Sequence, residues 1–175
     1  QQQKSAADDL EKLSEQLSQS MQEMEQEDLA EDVETIRRLL KNIVTLSFNQ
    51  EDLIKSLNST LIQDVKYQNI INNQNRIKSD FSAIDDSLRN LAKRQIKVAS
   101  MISKNVSTVN TNISSSLRDL LRMNQSFYKN NRNTTASKSM QYTVTSLNNL
   151  ALLLAESLDN MQAQMRKDNS QKKMG

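Results

Sequence analysis

The sequence LSFNQEDL, residues 46–53, decides how the first part of this chain folds. Its polar residues could end a helix, because Asn49 followed by Asp52 has the pattern of a helix N-cap. They could instead carry a polar layer through one continuous helix. We favour the continuous helix, because apolar residues recur at alternating steps of four and three on both sides, with no shift of phase. The series is Leu29, Val33, Ile36, Leu40, Ile43, Ser47, Gln50, Ile54, Leu57 and Leu61.

Outward from this stretch, the N-terminal part of the chain predicts two separate helices, over residues 6–26 and 29–59. We separate them because the apolar phase breaks after Met24. In addition, Asp28 and Glu31 have the spacing of a capping box, in which each side chain accepts a hydrogen bond from an amide at a helix start.

The pattern of the remaining sequence predicts further long helices. A connection is expected at residues 56–64, which are rich in turn-forming side chains, and Asp64 can cap the helix that follows. We predict a break or kink near residues 103–105, because the Ser, Thr, Asn and Val that follow are mediocre helix formers. An unbroken helix of more than fifty residues is the alternative. A loop at residues 129–135 precedes a last helix over residues 135–167.

Composition limits the fold class. The chain of 175 residues has no Pro, and its single Gly is the last residue. Sheet proteins need tight turns, which Gly and Pro usually supply. We therefore predict an all-α protein, an elongated antiparallel helical bundle of coiled-coil character with four to five long helices. Its expected parts are an acidic, loosely packed N-terminal helix at 1–27, a bundle core at 28–167 and a disordered basic tail at 168–175.

The absence of His and Cys excludes many chemistries. Without them there is no catalytic triad, thiolate nucleophile, zinc–thiolate site or disulfide. Carboxylates remain, but adjacent acids on a helix, such as Glu51 with Asp52 or Asp85 with Asp86, point about 100° apart and do not converge on a metal. We expect no enzyme activity, no cofactor and no metal site.

Charge is unevenly distributed along the chain. Residues 1–35 carry eleven acidic and two basic residues, for a formal charge of −9, whereas residues 36–175 carry +11. One basic run has no intervening acid and is a candidate anion-binding patch, although solvation or pairing with acidic faces is the simpler interpretation. Nucleic acid is not expected as a partner, because the few aromatic residues offer no stacking platform. The patch comprises Arg89, Lys93, Arg94, Lys97 and Lys104.

Several polar residues occupy apolar seams or their borders. They could form a buried hydrogen-bonded layer that fixes helix register at some cost in stability, or they could reach water at the edge of the core. If the layer forms, we expect Gln50→Leu to leave the melting temperature unchanged or raise it. The candidate layer comprises Ser47, Gln50, Gln74, Asn148 and Asn149.

Three stretches, in their order and spacing, resemble a known group of proteins. They are TLSFNQEDL at 45–53, IDDSLRNLAKR at 84–94 and MQYTVTSLNNLALLLAESLDNMQAQM at 140–165. This pattern is similar to the helical region of large membrane-anchored Gram-negative bacterial proteins classed as a domain of unknown function. The resemblance implies a piece of a longer cell-envelope protein, whose membrane helices lie outside this segment. It implies no activity and carries over no catalytic residue.

These observations favour a non-catalytic structural or protein–protein interaction module. Its expected partner is another protein or a second copy of the chain, bound through apolar seams. The alternative is a basic surface that binds nucleic acid or anionic lipid. Salt separates the two, because phosphate binding weakens steeply as salt rises.

Overall fold

A computed structural model describes residues 2–62, 64–125 and 134–175, and this part of the chain forms four α-helices and no strand. The prediction of an all-α helical bundle is therefore confirmed. Of the four to five helices expected, the described residues contain four. The helices are α1 (Gln2–Asn58), α2 (Val65–Arg94), α3 (Ile96–Gln125) and α4 (Thr134–Met174).

The helices form two compact units. The terminal unit consists of the two ends of the chain, Gln1–Ile36 and Leu158–Gly175. The central unit comprises Arg37–Ser157 and so contains parts of all four helices.

The central unit is an antiparallel bundle in which hydrogen bonds join each helix to two neighbours. Tyr67, near the start of α2, bonds to Leu120, near the end of α3. Asp85, further along α2, bonds to Asn110, which lies earlier in α3. The two helices therefore run in opposite directions. The bonds between neighbours join Gln50 to Gln74, Tyr67 to Leu120, Ser116 to Thr143 and Asn148 to Ser47.

The core of the central unit is built from the predicted apolar seams. Fully burying a Leu or Ile contributes about 1.5–3 kcal/mol before the loss of chain entropy is counted. Because the seams of all four helices supply such residues, the bundle does not depend on intrinsic helix propensity alone. The largest fully buried side chains of this unit are Tyr67, Phe81, Ile43, Leu57, Leu88, Leu91, Ile102, Ile113, Leu120, Met140 and Leu147.

Helix α1 continues unbroken through residues 46–53, as predicted from the apolar phase. The prediction of two helices separated near Asp28 is wrong, because α1 also runs without interruption from Gln2. Interruption of the apolar phase after Met24 shifts the apolar stripe around the helix surface without ending the helix. The two apolar series need not share a phase, since the apolar side chains between residues 10 and 24 are exposed and those of the next series are buried.

The predicted break near residues 103–105 is also wrong. The chain reverses at Gln95, and α3 is continuous through the region rich in Ser, Thr and Asn. Gln95 has φ −112° and ψ 74°, and its amide donates to the carbonyl of Leu91. Within α3, hydroxyl groups such as that of Thr108 donate to the carbonyl four residues earlier, so these polar side chains remain compatible with the helix.

The remaining boundaries mostly follow the sequence. Asp64 is the N-cap of α2, as predicted, and its carboxylate accepts a hydrogen bond of 3.0 Å from the amide of Lys66. The predicted loop at 129–135 lies mostly outside the described residues, and α4 begins at Thr134. At its other end α4 continues to Met174, so the structure has a helix where a disordered tail over 168–175 is predicted.

Candidate functional site

Among the described residues, the largest set of apolar side chains left exposed on one helix face lies in the first half of α1. These side chains are 54–67% exposed, although they have the same three- and four-residue spacing as the buried seam of the central unit. A single exposed Leu is ordinary, but a regular series on one helix face is typical of an interaction surface. We name this series the N-terminal stripe: Leu10, Leu13, Leu17, Met21 and Met24.

The stripe lies on a different side of α1 from the groove that α1 forms with α4. In the terminal unit, the Lys172 Nζ donates to Gln26 Oε1 at 2.7 Å, and the helical part of α4 ends two residues later at Met174. An open groove between the two helices is lined by Glu23 and Ala30 of α1 and by Met165 of α4. Every side chain described from residue 4 to 25 is exposed.

The charges beside the N-terminal stripe are negative. Residues 4–25 carry six acidic and two basic residues. At about 100° per residue, Asp9 and Glu25 lie beside the stripe, and Glu23, Lys4 and Lys12 lie further round the helix. A partner helix seated on the stripe would therefore meet acidic side chains at both borders.

The structure brings together only part of the predicted polar layer. Gln50 and Gln74 are fully buried and form two reciprocal hydrogen bonds, of 2.8 and 2.9 Å between Nε2 and Oε1. Buried Ser47 donates to Asn148 Oδ1 at 2.7 Å, but Asn148 itself is exposed. Asn149 is also exposed and is not a member of a buried layer, because it lies on the outer side of α4.

Polar contacts between α3 and α4 were not predicted. Ser116 and Thr143 are buried, with 3.1 Å between their hydroxyl oxygens, and Asn112 donates to Ser146 at 3.2 Å. A further hydrogen bond runs from Ser139 to the carboxylate of Asp119 on α3. The sequence signal was present, since Ser116 and Thr143 lie beside the apolar seams, but small hydroxyl residues are also common on exposed faces and in caps.

The residues of the predicted anion-binding patch do not form one helix face. Lys93 and Lys97 lie on different helices, because α2 ends at Arg94 and α3 begins at Ile96. Arg89 forms an ion pair of 2.7 Å with Asp85, and this hydrogen bond and the carboxylate charge raise the pKa of Arg89 above its ordinary value. The side chains of Lys93, Arg94, Lys97 and Lys104 are exposed.

The pKa of the Tyr67 side chain is shifted by its surroundings. Its phenol is almost fully buried and donates a hydrogen bond of 2.8 Å to the carbonyl oxygen of Leu120. Burial disfavours the phenolate and raises the pKa of Tyr67 to about 12. This contact joins the start of α2 to the end of α3 and has a structural role within the bundle.

The described residues contain no cluster of three or more His, Cys, Asp or Glu side chains placed to hold a metal ion. Of the adjacent acids noted in the sequence, Asp52 is exposed and lies 3.9 Å from Lys55, and Asp85 is held by Arg89 and Asn110. An open groove of about 380 Å³ lies between α1 and α2, with Asn42, Asn49 and Asp80 among its lining residues.

Within the described ranges, none of the helices has an apolar stretch sufficient to span a bilayer. No protein-family model, curated protein or solved structure matches this chain. The resemblance to a membrane-anchored bacterial family therefore stays a prediction.

Proposed function

We propose that this chain is a non-catalytic helical module that acts by binding another protein chain. The observation that carries the proposal is the N-terminal stripe, five large apolar side chains at coiled-coil spacing that are more than half exposed. Burying each such side chain against a partner would contribute about 1.5–3 kcal/mol before the costs of association. A coiled-coil contact along α1 is the geometry that this spacing favours.

In this proposal the central unit holds its helices in a fixed register. Its buried Gln50–Gln74 pair satisfies the polar groups of both amides, and a shift of one helix along the other would leave them buried without partners. We propose that the pair fixes the register of α1 against α2. A fixed register suits a module that presents a surface by shape and does no bond chemistry.

The alternative is binding of an anionic polymer or lipid surface through the basic residues at 89–104. This proposal has less support, because Arg89 is already paired with Asp85 and the turn at Gln95 divides the remaining basic residues between two helices. Binding to double-stranded DNA or to vesicles rich in phosphatidylserine, lost by several orders of magnitude between roughly 50 and 200 mM salt, would favour this alternative.

Site-specific photo-crosslinking tests the main proposal. A photoreactive phenylalanine analogue is introduced at Leu13 of the N-terminal stripe, or at Leu152 of α4, which is equally apolar and 67% exposed. In cells that make the protein naturally, we expect a discrete adduct to a protein chain from position 13 and none from position 152. Changing Leu10 and Leu17 to Ser should abolish the adduct. Equal adducts from both positions, or none from position 13, would contradict the proposal.

A further inference from the structure

We propose that the groove between α1 and α2 in the central unit binds an extended, neutral polypeptide segment through the backbone of that segment. The groove has two adjoining openings, of about 380 and 290 Å³, which share Asn49 and Asp80. This inference goes beyond the proposed function, because it concerns a different surface and does not depend on the N-terminal stripe.

The floor of the groove has little apolar area left to bury. Its five side chains recur at seven-residue steps and are 3–6% exposed. An amphipathic helix laid in the groove would therefore gain little from the hydrophobic effect. The backbone amides of such a helix are also bonded within it and cannot pair with the groove. The floor comprises Leu39, Leu46 and Leu53 of α1 and Ile77 and Ile84 of α2.

Short polar side chains form the walls beside this floor. At about 100° per residue, they occupy the helix positions next to the floor, again at seven-residue steps. Such positions in paired helices usually carry long Lys, Arg or Glu side chains, whose stems cover the apolar residues. None of the wall side chains is longer than that of Asn, so the groove stays open. We name them the groove walls: Asn42, Asn49 and Ser56 of α1 and Asn73, Asp80 and Ser87 of α2.

The groove walls offer unused hydrogen-bonding groups. No hydrogen bond joins the carboxamides of Asn42, Asn49 and Asn73 to another described residue. Each carboxamide can donate and accept at the same time. An extended segment has a free N–H and C=O at each residue other than proline. The Asn side chains can therefore pair with such a backbone in the same two-bond manner in which Gln50 and Gln74 pair in the core.

The spacing of the Asn residues suits an extended chain. Asn42 and Asn49 are separated by two helical turns, which is about 10.5 Å along the helix. Three residues of polyproline-II backbone span about 9.3 Å, and this conformation returns to the same orientation every third residue. Successive Asn side chains on one wall can therefore reach backbone groups that point the same way. We expect a bound segment of about seven residues along the groove.

The charges that line the groove cancel. Arg38 and Arg76 lie along it together with Asp52 and Asp80. A polyanion such as nucleic acid would meet the carboxylates, and a strongly basic peptide would meet the guanidinium groups. A neutral segment avoids both kinds of repulsion. An extended, neutral polypeptide is therefore the partner that the floor, the walls and the charges favour together.

A random peptide library displayed on phage, selected against the full chain, tests the inference. The most enriched peptide is synthesised, and fluorescence anisotropy measures its binding to the parent chain. We expect binding that persists as salt rises, because the groove has no net charge. Far-ultraviolet circular dichroism should show no gain of helix when the peptide binds. Failure to enrich any peptide, a gain of helix on binding, or binding that is lost at raised salt would overturn the inference.

Variants of the chain make the test specific to the groove walls. Asn42→Ala with Asn49→Ala should weaken binding of the enriched peptide by at least about fivefold, because two hydrogen-bonding side chains are lost. The matched control Asn149→Ala, at an exposed Asn on α4, should leave binding unchanged.

These variants should keep the helical circular dichroism of the parent chain, because all three side chains are exposed and Ala is a stronger helix former than Asn. Equal binding by the parent chain and the Asn42→Ala, Asn49→Ala variant would place the peptide elsewhere and overturn the inference. The crosslink from position 13 reports on the N-terminal stripe alone, so the inference and the proposed function can fail separately.

Discussion

Two parts of α1 have the same apolar spacing and opposite surroundings. In the central unit, Ile43, Leu57 and their seam neighbours are buried by the other helices. In the N-terminal stripe, Leu17 and its neighbours are more than half exposed. The difference shows that spacing identifies which face of a helix is apolar, but does not identify what covers that face. The stripe is an apolar face for which the described part of the chain supplies no cover.

The largest expected effect comes from truncating the buried seam. Leu57→Ala removes a fully buried side chain, and the resulting cavity should lower the free energy of unfolding by about 2–5 kcal/mol. Urea unfolding followed by circular dichroism measures the change. A loss below about 1 kcal/mol would mean that the helices close over the cavity, and the contrast with the stripe would weaken.

A smaller effect is expected at the buried amide pair. The structure revises our expectation for Gln50→Leu, because Gln74 is equally buried and would lose both hydrogen bonds. The single change should lower the free energy of unfolding by about 1–3 kcal/mol. The double variant Gln50→Leu with Gln74→Leu should recover the loss, since no polar group is then left unpaired. Thermal unfolding of the three proteins decides this, and a double variant as unstable as the single one would speak against the pair.

Tyr67 gives a still smaller effect, with a distinct pH dependence. Tyr67→Phe removes one buried hydrogen bond and should cost about 0.5–1.5 kcal/mol near neutral pH. The folded state raises the pKa of Tyr67 from its ordinary value of about 10 to about 12. Its stabilising contribution is therefore complete below pH 10 and is lost as pH rises from 10 to 12. The variant should lack this part of the alkaline loss in urea unfolding measured at several pH values.

The smallest effect is expected in the stripe. Leu17→Ala removes the same atoms as Leu57→Ala from a side chain that is 57% exposed, so the free energy of unfolding should change by no more than about 0.5 kcal/mol. The same urea titration measures both variants. If Leu17→Ala proved as costly as Leu57→Ala, the stripe would already be covered in solution, and the comparison between the two parts of α1 would no longer hold.

Periodicity predicted the helices better than their ends. It correctly carried α1 through residues 46–53, where two polar residues occupy the seam. The same reasoning failed at Gln95, because Leu91, Val98 and Ile102 keep the apolar phase across a reversal of the chain. The two stretches look alike in sequence, since each has a Gln at a seam position. Gln50 finds its partner Gln74 in the neighbouring helix, and this long-range contact is invisible to local spacing.

The candidate sites were predicted unevenly for a related reason. The stripe residues form an apolar series that their spacing reveals, but spacing does not show whether another helix covers them. Gln50 and Gln74 were each named among the candidates for a buried layer, but their pairing was not predicted, and Ser116 and Thr143 were not named. A buried Gln in an apolar seam is conspicuous, but a Ser or Thr suits a helix edge as well as a polar contact.

The amino-acid sequence by itself determined that the protein is helical, because a chain without Pro and with one terminal Gly lacks the residues that tight sheet turns require. It also determined which faces are apolar and that the N-terminal region is acidic. The tertiary structure alone decided where the chain reverses, which polar residues meet and which apolar face is left uncovered. Those features depend on contacts between residues far apart in sequence, and local patterns contain no information about which distant helix lies alongside.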